Sequence, residues 1–230
     1  IRDMVPPTPY QKRKKELAKK DRYIPDNFKW RKGHRVIRPE IEHQGEDPLW
    51  QKGFSKSKLT PVEPKVNIDG LFAGGSPHDP TGDAGLNYYI QAVNATEIGV
   101  YEKNGTLITT FTGNTLWGEL GYNSGGDPII MYDQEFDRWL ITEFPFGFGG
   151  SANQLLVAIS LTDDPLGEYD VYAFGTPRFP DYPKYGIWSN AYSVTTNEET
   201  AQTLHAYFIN REQLLAGAET VDIQRVSFAG

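Results

Sequence analysis

From Val66 onward, apolar and polar positions settle into short runs with a two-residue period, separated by turn-forming residues. NYYIQAVN (87–94), TEIGVYEK (96–103) and TLITTFTG (106–113) each alternate over about the length of one strand. Asn104-Gly105, between the last two, is a hairpin signal, because both residues tolerate the left-handed backbone that such a turn requires. A three-stranded meander is therefore expected. A second group follows in DPIIMYD, RWLITEFPF, QLLVAISLT and EYDVYAFG, joined by QEFD, the Gly-rich GFGGSAN and the turn DDPLG. Within RWLITEF the alternation puts Trp139, Ile141 and Glu143 on one face and Leu140, Thr142 and Phe144 on the other. A third group opens near Trp188 with NAYSVTTN and continues through TLHAYFIN, a short helical REQLLAGA and VDIQRVSF.

Aligning what reads as the first strand of each group pairs Tyr89, Met131 and Tyr192, at offsets of 42 and 61 residues. Antiparallel meanders repeating at such spacings are the sequence form of a β-propeller, whose four-stranded blades pack face to face around an axis. The unequal offsets leave a β-sandwich open. The expected class is all-β: propeller-like antiparallel blades in an incomplete ring over residues 66–230, continuing beyond this sequence.

Residues 1–65 show no such period. Thr8 is a plausible helix cap, with Pro9 at the first helical position and Gln11 three residues after the cap, so PYQKRKKELAKK can form a short helix. Only Tyr10 and Leu17 would share a face, too little to hold it alone. Farther on, Phe28, Trp30, Trp50 and Phe54 are scattered among charges and prolines. The segment reads as a basic, largely irregular N-terminal arm.

Composition agrees with strands and turns: 13% of residues are aromatic, and Gly and Pro number 23 and 16. Cysteine is absent, which excludes disulfides, thiolate metal sites and cysteine nucleophiles. There is no run of 18 apolar residues, so the expectation is that no helix spans a membrane. The net charge of −7 hides an asymmetry: residues 1–65 carry 17 Lys or Arg against 9 Asp or Glu, the remainder 6 against 21. A basic arm joined to an acidic domain raises nucleic acid as a partner. Base-stacking aromatics are not interleaved with the arm's charges, so no nucleic-acid partner is expected and a solvated arm is the simpler reading.

Candidate chemistry is sparse. His34, His43, His78 and His205 stand at no metal-binding spacing, and no G-x-S-x-G elbow accompanies them. Calcium, which takes six to eight oxygen ligands, is the one metal the acidic loops suggest, through Asp79, Asp83 and Asp127; the same residues serve as ordinary turn formers. Asp133 and Asp137 read as turn residues of a hairpin whose connection is Gln134–Asp137. Trp117, Tyr122, Phe146 and Phe148, with Trp188, are the aromatic candidates for ligand binding; the competing reading, favoured for Trp139 and Trp188, is packing between sheets. No catalytic set emerges.

Several segments in one order carry a resemblance: DPTGDAGLNYYIQAVNATEIGVYEKNGTLI, GGDPIIMYDQEFDRWLITEF, AISLTDDPLGEYDVYAFG and FPDYPKYGIWSNAYSVTTN. The stretch from about Gly74 to Phe208 resembles a family of secreted bacterial propeller-like proteins common in gliding Bacteroidetes. The resemblance implies a larger parent protein, of which this is the N-terminal portion, exported to the cell surface by the type IX system and used in adhesion or in binding a carbohydrate or other surface ligand. Two alternatives stand beside that expectation. One is a polysaccharide or glycoconjugate hydrolase using axial carboxylates, with Asp127, Asp133 and Glu143 as candidates. The other is a cargo or subunit of an outer-membrane secretion complex, docked through the basic arm.

Overall fold

A computed structural model describes residues 63–72, 77–94, 97–147, 152–198 and 203–229. The chain divides into two units at Lys65/Val66. The helix expected over PYQKRKKELAKK, His34, His43 and the arm's aromatics lie outside the described residues, as does Phe148.

The second unit is built from three four-stranded antiparallel sheets, each a simple meander in chain order. The first holds β1 (Thr81–Ala84), β2 (Tyr88–Ala92), β3 (Ile98–Glu102) and β4 (Leu107–Phe111). A single helical turn, α1 (Asn114–Trp117), and a 3-10 turn (Gly118–Leu120) lead to the second sheet: β5 (Ser124–Asp133), β6 (Arg138–Pro145), β7 (Gln154–Ser160) and β8 (Tyr169–Gly175). The third comprises β9 (Pro180–Ile187), β10 (Ala191–Glu198), β11 (Thr203–Asn210) and β12 (Ile223–Ala229), with α2 (Arg211–Leu215) between the last two.

The first sheet thus has four strands rather than three, because the short TGDA segment pairs with β2 from Thr81↔Ala92 to Ala84↔Tyr89. A strand this short, with one glycine inside it and another directly after it, carries no readable period. The third sheet likewise begins earlier than expected: PDYPKYGI is its first strand despite two prolines, Pro180 at its first position and Pro183 at the register shift opposite Thr195–Asn197. Consequently Tyr89 and Tyr192 lie on second strands and Met131 on a first strand, and the alignment of these three is corrected. The Asn104-Gly105 hairpin is present as a three-residue turn. Gly105 adopts φ +92°, Asn104 Oδ1 accepts from the Thr106 N–H at 2.8 Å, and the strand register shifts between Val100 and Tyr101.

The second sheet lies between the other two and is covered on both faces, which explains why QLLVAIS reads as a nearly unbroken apolar run. One face carries Ile130, Trp139, Ile141, Leu156 and Ala158 into a core shared with Ile90, Ala92, Ile98 and Val100 of the first sheet and with Trp117. The other carries Leu140, Leu155, Val157 and Ile159 against Tyr192, Val194, Tyr207 and Ile209 of the third. Burying each of these large side chains contributes roughly 1.5–3 kcal/mol, so the two inter-sheet layers dominate the stability of the unit. Trp139 anchors the first layer. It is fully buried, stacks obliquely on Tyr132 at 4.7 Å, and donates its indole N–H to the Asp163 carbonyl at 3.0 Å. Gly85 makes room for it, since a Cβ there would stand 2.6 Å from the indole ring.

A buried charge clasp joins the second and third sheets. The guanidinium of Arg211, at the start of α2, pairs with Asp133 through Nε at 2.8 Å and again through its second terminal nitrogen, and with Glu135 at 2.7 Å. Tyr192 donates its hydroxyl to Asp133 at 2.6 Å. Asp133 also caps its own hairpin by accepting from the Glu135 N–H at 3.1 Å, so turn chemistry accounts for only part of its role. Arg211 in addition donates to the Trp188 carbonyl at 3.1 Å, while the Trp188 ring is 71% exposed and fills no gap between sheets, contrary to the packing expected of it.

Among the described residues no helix is long and apolar enough to cross a membrane.

Candidate functional site

The first strands of the three sheets lie side by side, β5 between β1 and β9. Each opens on an aspartate and a proline: Asp79-Pro80 ahead of β1, Asp127-Pro128 early in β5, and Asp181-Tyr182-Pro183 in β9. The residue directly before each proline holds a positive φ, 34° at Asp79, 47° at Asp127 and 52° at Tyr182. A residue preceding proline is normally confined to extended backbone, so this conformation costs on the order of 1–3 kcal/mol at each position. Three of the four non-glycine positive φ values among the described residues are these, which makes the feature a structural repeat.

The repeat brings carboxylates together. Asn94 links two of the openings: its side-chain amide donates to Asp79 Oδ2 at 3.2 Å, and its Oδ1 accepts from the Asp127 N–H at 3.1 Å. Burial, then the charges of Asp181 and Asp79, push the Asp127 carboxyl above its ordinary range, against the pull of Lys184 and of the Tyr182 N–H. Lys184 itself sits 3.6 Å above the Tyr182 ring. The result is a half-buried acid flanked by two exposed ones and one ammonium.

Asp83, the third residue suggested for calcium, is elsewhere. Its Oδ2 accepts from the Tyr132 N–H at 2.8 Å and its Oδ1 from the Ala84 N–H at 2.7 Å, binding β1 to β5. The three predicted calcium ligands therefore do not form one group, and no cluster of three or more His, Cys, Asp or Glu residues able to hold a metal occurs among the described residues. Asp181, which was not among the expected residues, is the one that joins Asp79 and Asp127 at the strand openings. Its signal was the recurrence of Asp and Pro ahead of each meander.

The aromatic candidates separate in the same way. Trp117 is fully buried and donates its indole N–H to Glu143 Oε2 at 2.5 Å, so it belongs to the core and presents no surface to a ligand. Tyr122 is half-buried against the same core, and Phe146 is 68% exposed.

The carboxylates proposed for hydrolysis do not face a common gap either. Glu143 is buried and accepts from Trp117 and, at 2.9 Å, from the Ser124 hydroxyl. Gly113 closes over it so tightly that a Cβ there would overlap Glu143 Oε2. Burial raises the Glu143 carboxyl to about 7 despite those two hydrogen bonds, but a proton held in a sealed core has no substrate to reach. Asp133 is occupied by Arg211 and Tyr192.

A Ser–His–Glu arrangement on the third sheet has a triad's composition without its chemistry. His205 Nδ1 lies 3.1 Å from Ser227 Oγ, and His205 Nε2 lies 3.8 Å from Glu198. Arg225, which has only donors, approaches His205 Nε2 at 3.2 Å, so that nitrogen carries the lone pair and Nδ1 carries the hydrogen. His205 then donates to Ser227 and cannot take its proton. The group is a structural network in which Glu198 also accepts from Tyr207 and, at 3.0 Å, from Arg225.

Comparison with protein-family models, with characterised proteins and with solved structures found no match to this chain.

Proposed function

We propose that residues 77–229 are three successive blades of a propeller-type domain that works as a binding module, presenting the aspartates at the openings of its first strands to a ligand on the cell exterior. The observation that carries the reading is the threefold recurrence of Asp and Pro, with a left-handed residue before the proline, where first strands of adjacent sheets lie side by side. Strained, repeated backbone at one end of a rigid scaffold is where binding function concentrates. The third sheet adds support for further blades: its outward face exposes Leu204, Phe208 and Val226, an apolar surface of the kind that the second sheet covers on both sides. Export to the cell surface, a larger parent protein and a role in adhesion rest on the family resemblance of the sequence.

A hydrolase is disfavoured because Glu143 is sealed in the core and Asp133 is taken up by Arg211 and Tyr192. The test is binding of the 230-residue chain to immobilised bacterial surface polysaccharide, alongside an assay for released reducing ends. Binding that is lost in the Asp79→Asn, Asp127→Asn, Asp181→Asn triple variant, without product release, is the expected result. Reducing ends released by the native chain and abolished by Asp127→Asn would establish the hydrolase instead, and binding unchanged in the triple variant would move the site away from the first strands.

A further inference from the structure

The chain passes from the first sheet to the second through residues 112–123, and little holds this crossover in place. Its helical turn, α1, has no side-chain cap at Gly113, and four residues do not hold a helix alone. Within the crossover only Gly113, Leu116 and Trp117 are buried. A Cβ at Gly118 or Gly121 would meet nothing within 4 Å, so that side is open. The crossover is tied to the second sheet by Trp117, which donates its indole N–H to Glu143 on β6, and by Asn114, whose Oδ1 accepts from the N–H of Ser124, the first residue of β5, at 2.7 Å.

Glu143 is thus the inner anchor of the crossover, and it is a carboxylate without a cation. Its partners are neutral, the Trp117 indole and, at 2.9 Å, the Ser124 hydroxyl, and Gly113 backs directly onto its oxygen. The elements packed around it bring no opposite charge. α1 and β7 contain no ionisable residue. The tyrosines of this core, Tyr88, Tyr122, Tyr132 and Tyr169, bring hydroxyls rather than charges. Asp127 of β5 groups with Asp79, Asp181 and Lys184. Arg138, at the other end of β6, is bonded to the Phe136 and Asp137 carbonyls. On the first sheet Asp83 is taken by the Tyr132 N–H and Glu102 by Asn104, and Glu119 of the 3-10 turn is exposed. Protonated, Glu143 keeps both contacts, since one oxygen accepts from Trp117 and the acid O–H donates to Ser124. Ionised, it is a buried charge that only water can compensate, and the lightly held crossover is the part that can admit water.

We propose that this crossover is a pH-released latch, closed over a protonated Glu143 and opened locally, with the sheets still formed, when Glu143 ionises. Burial holds the carboxyl at about 7 in the closed form against 4.5 in water. Closure is therefore fully favoured below 4.5 and is lost as pH rises through about 7. Between about pH 5 and pH 8 the ratio of closed to open forms falls on the order of 50-fold. Opening frees the entry of β5 from Asn114, while the layer between the second and third sheets, which includes no crossover residue, stays packed.

The test is amide hydrogen exchange of the 230-residue chain, followed by NMR between about pH 5 and pH 8 and expressed relative to the intrinsic rate at each pH. The reporters are the Leu116 and Trp117 amides, both bonded to the Gly113 carbonyl, and the Tyr122 amide, bonded to the Trp117 carbonyl; Val157 and Ala158 of β7 report global unfolding and show that each variant is folded. Protection of the crossover reporters is expected to fall on the order of 50-fold over this range and to be indifferent to dilute urea, which lowers the protection of β7. Glu143→Gln should flatten the profile. Ser124→Ala should move its midpoint to higher pH, because the hydroxyl bonds more strongly to the anion than to the acid. Crossover amides that exchange only together with β7, with the same protection and the same urea dependence, overturn the latch. A fall that persists in Glu143→Gln, or a midpoint unmoved by Ser124→Ala, overturns it as well.

Discussion

Glu143 offers a quantitative check on how the core is built. It is a carboxylate 5% exposed, held between α1 and β5 by the Trp117 indole and the Ser124 hydroxyl, with Gly113 against its oxygen. Burial raises its carboxyl from 4.5 to about 7. The folded state therefore binds a proton between these values that the unfolded chain does not, so the associated stability is complete below the unfolded value and is lost as pH rises through about 7. At roughly 1.4 kcal/mol per pH unit, the interval corresponds to about 3 kcal/mol. Glu143→Gln replaces the acid by a neutral group of the same shape. Its oxygen still accepts from Trp117, and its amide donates to the Ser124 oxygen. The variant is expected to exceed the native protein in stability by about 3 kcal/mol at pH 8 and to match it to within about 1 kcal/mol near pH 4.5. Urea unfolding across this pH range, followed by tryptophan fluorescence with an unchanged m-value, reads the difference directly. Parallel pH profiles for the two proteins, or a variant weaker than native at pH 8, would refute the assignment of the proton to Glu143.

Three further outcomes follow from named contacts. Arg211→Met leaves Asp133 buried without its cation and should cost about 3–5 kcal/mol in denaturant unfolding, whereas the Arg211→Met, Asp133→Leu double variant should recover much of that loss; equal losses in the two would show that the pair's charge is immaterial. Gly85→Ala brings a methyl group against Trp139 and Tyr132 and should destabilise by about 1–3 kcal/mol, read as a lowered Tm by calorimetry; an unchanged Tm would place Trp139 elsewhere. Asp181→Asn removes one of the charges that lift Asp127, so the Asp127 carboxyl should titrate at lower pH, followed by carboxyl-carbon NMR; no movement would mean that these first-strand openings do not converge.

Much of the sheet structure was legible because period-two alternation is strong wherever a strand is half-buried. RWLITEF placed Trp139 and Glu143 on one face and Leu140 on the other, and both faces turned out to be buried because the second sheet has a neighbour on each side. What the pattern missed were the first strands of the outer sheets. TGDA is too short for a period, and PDYPKYGI carries two prolines, yet both are held by register with the second strand of their sheet. That is tertiary context overriding local propensity. The mistaken pairing of Tyr89 with Met131 and Tyr192 followed from the same omission.

The candidate site was legible only in part, for a related reason. Asp79, Asp83 and Asp127 share a residue type and a turn-rich setting, and nothing local separates a carboxylate that faces solvent from one that bonds a neighbouring strand. Once β1 is recognised as a strand, Asp83 falls inside it and its side chain is directed to the Tyr132 N–H, while Asp79, one residue ahead of a proline, stands at the strand's opening. The same step promotes Asp181, because β9 then carries an aspartate and a proline in its first half, as β5 does. The repeat that defines the site is therefore a repeat of strand openings, not of the aromatic and apolar positions that mark the strands themselves. It is legible by comparing the residues ahead of each meander, where the backbone must turn inward against the constraint that proline imposes on its predecessor.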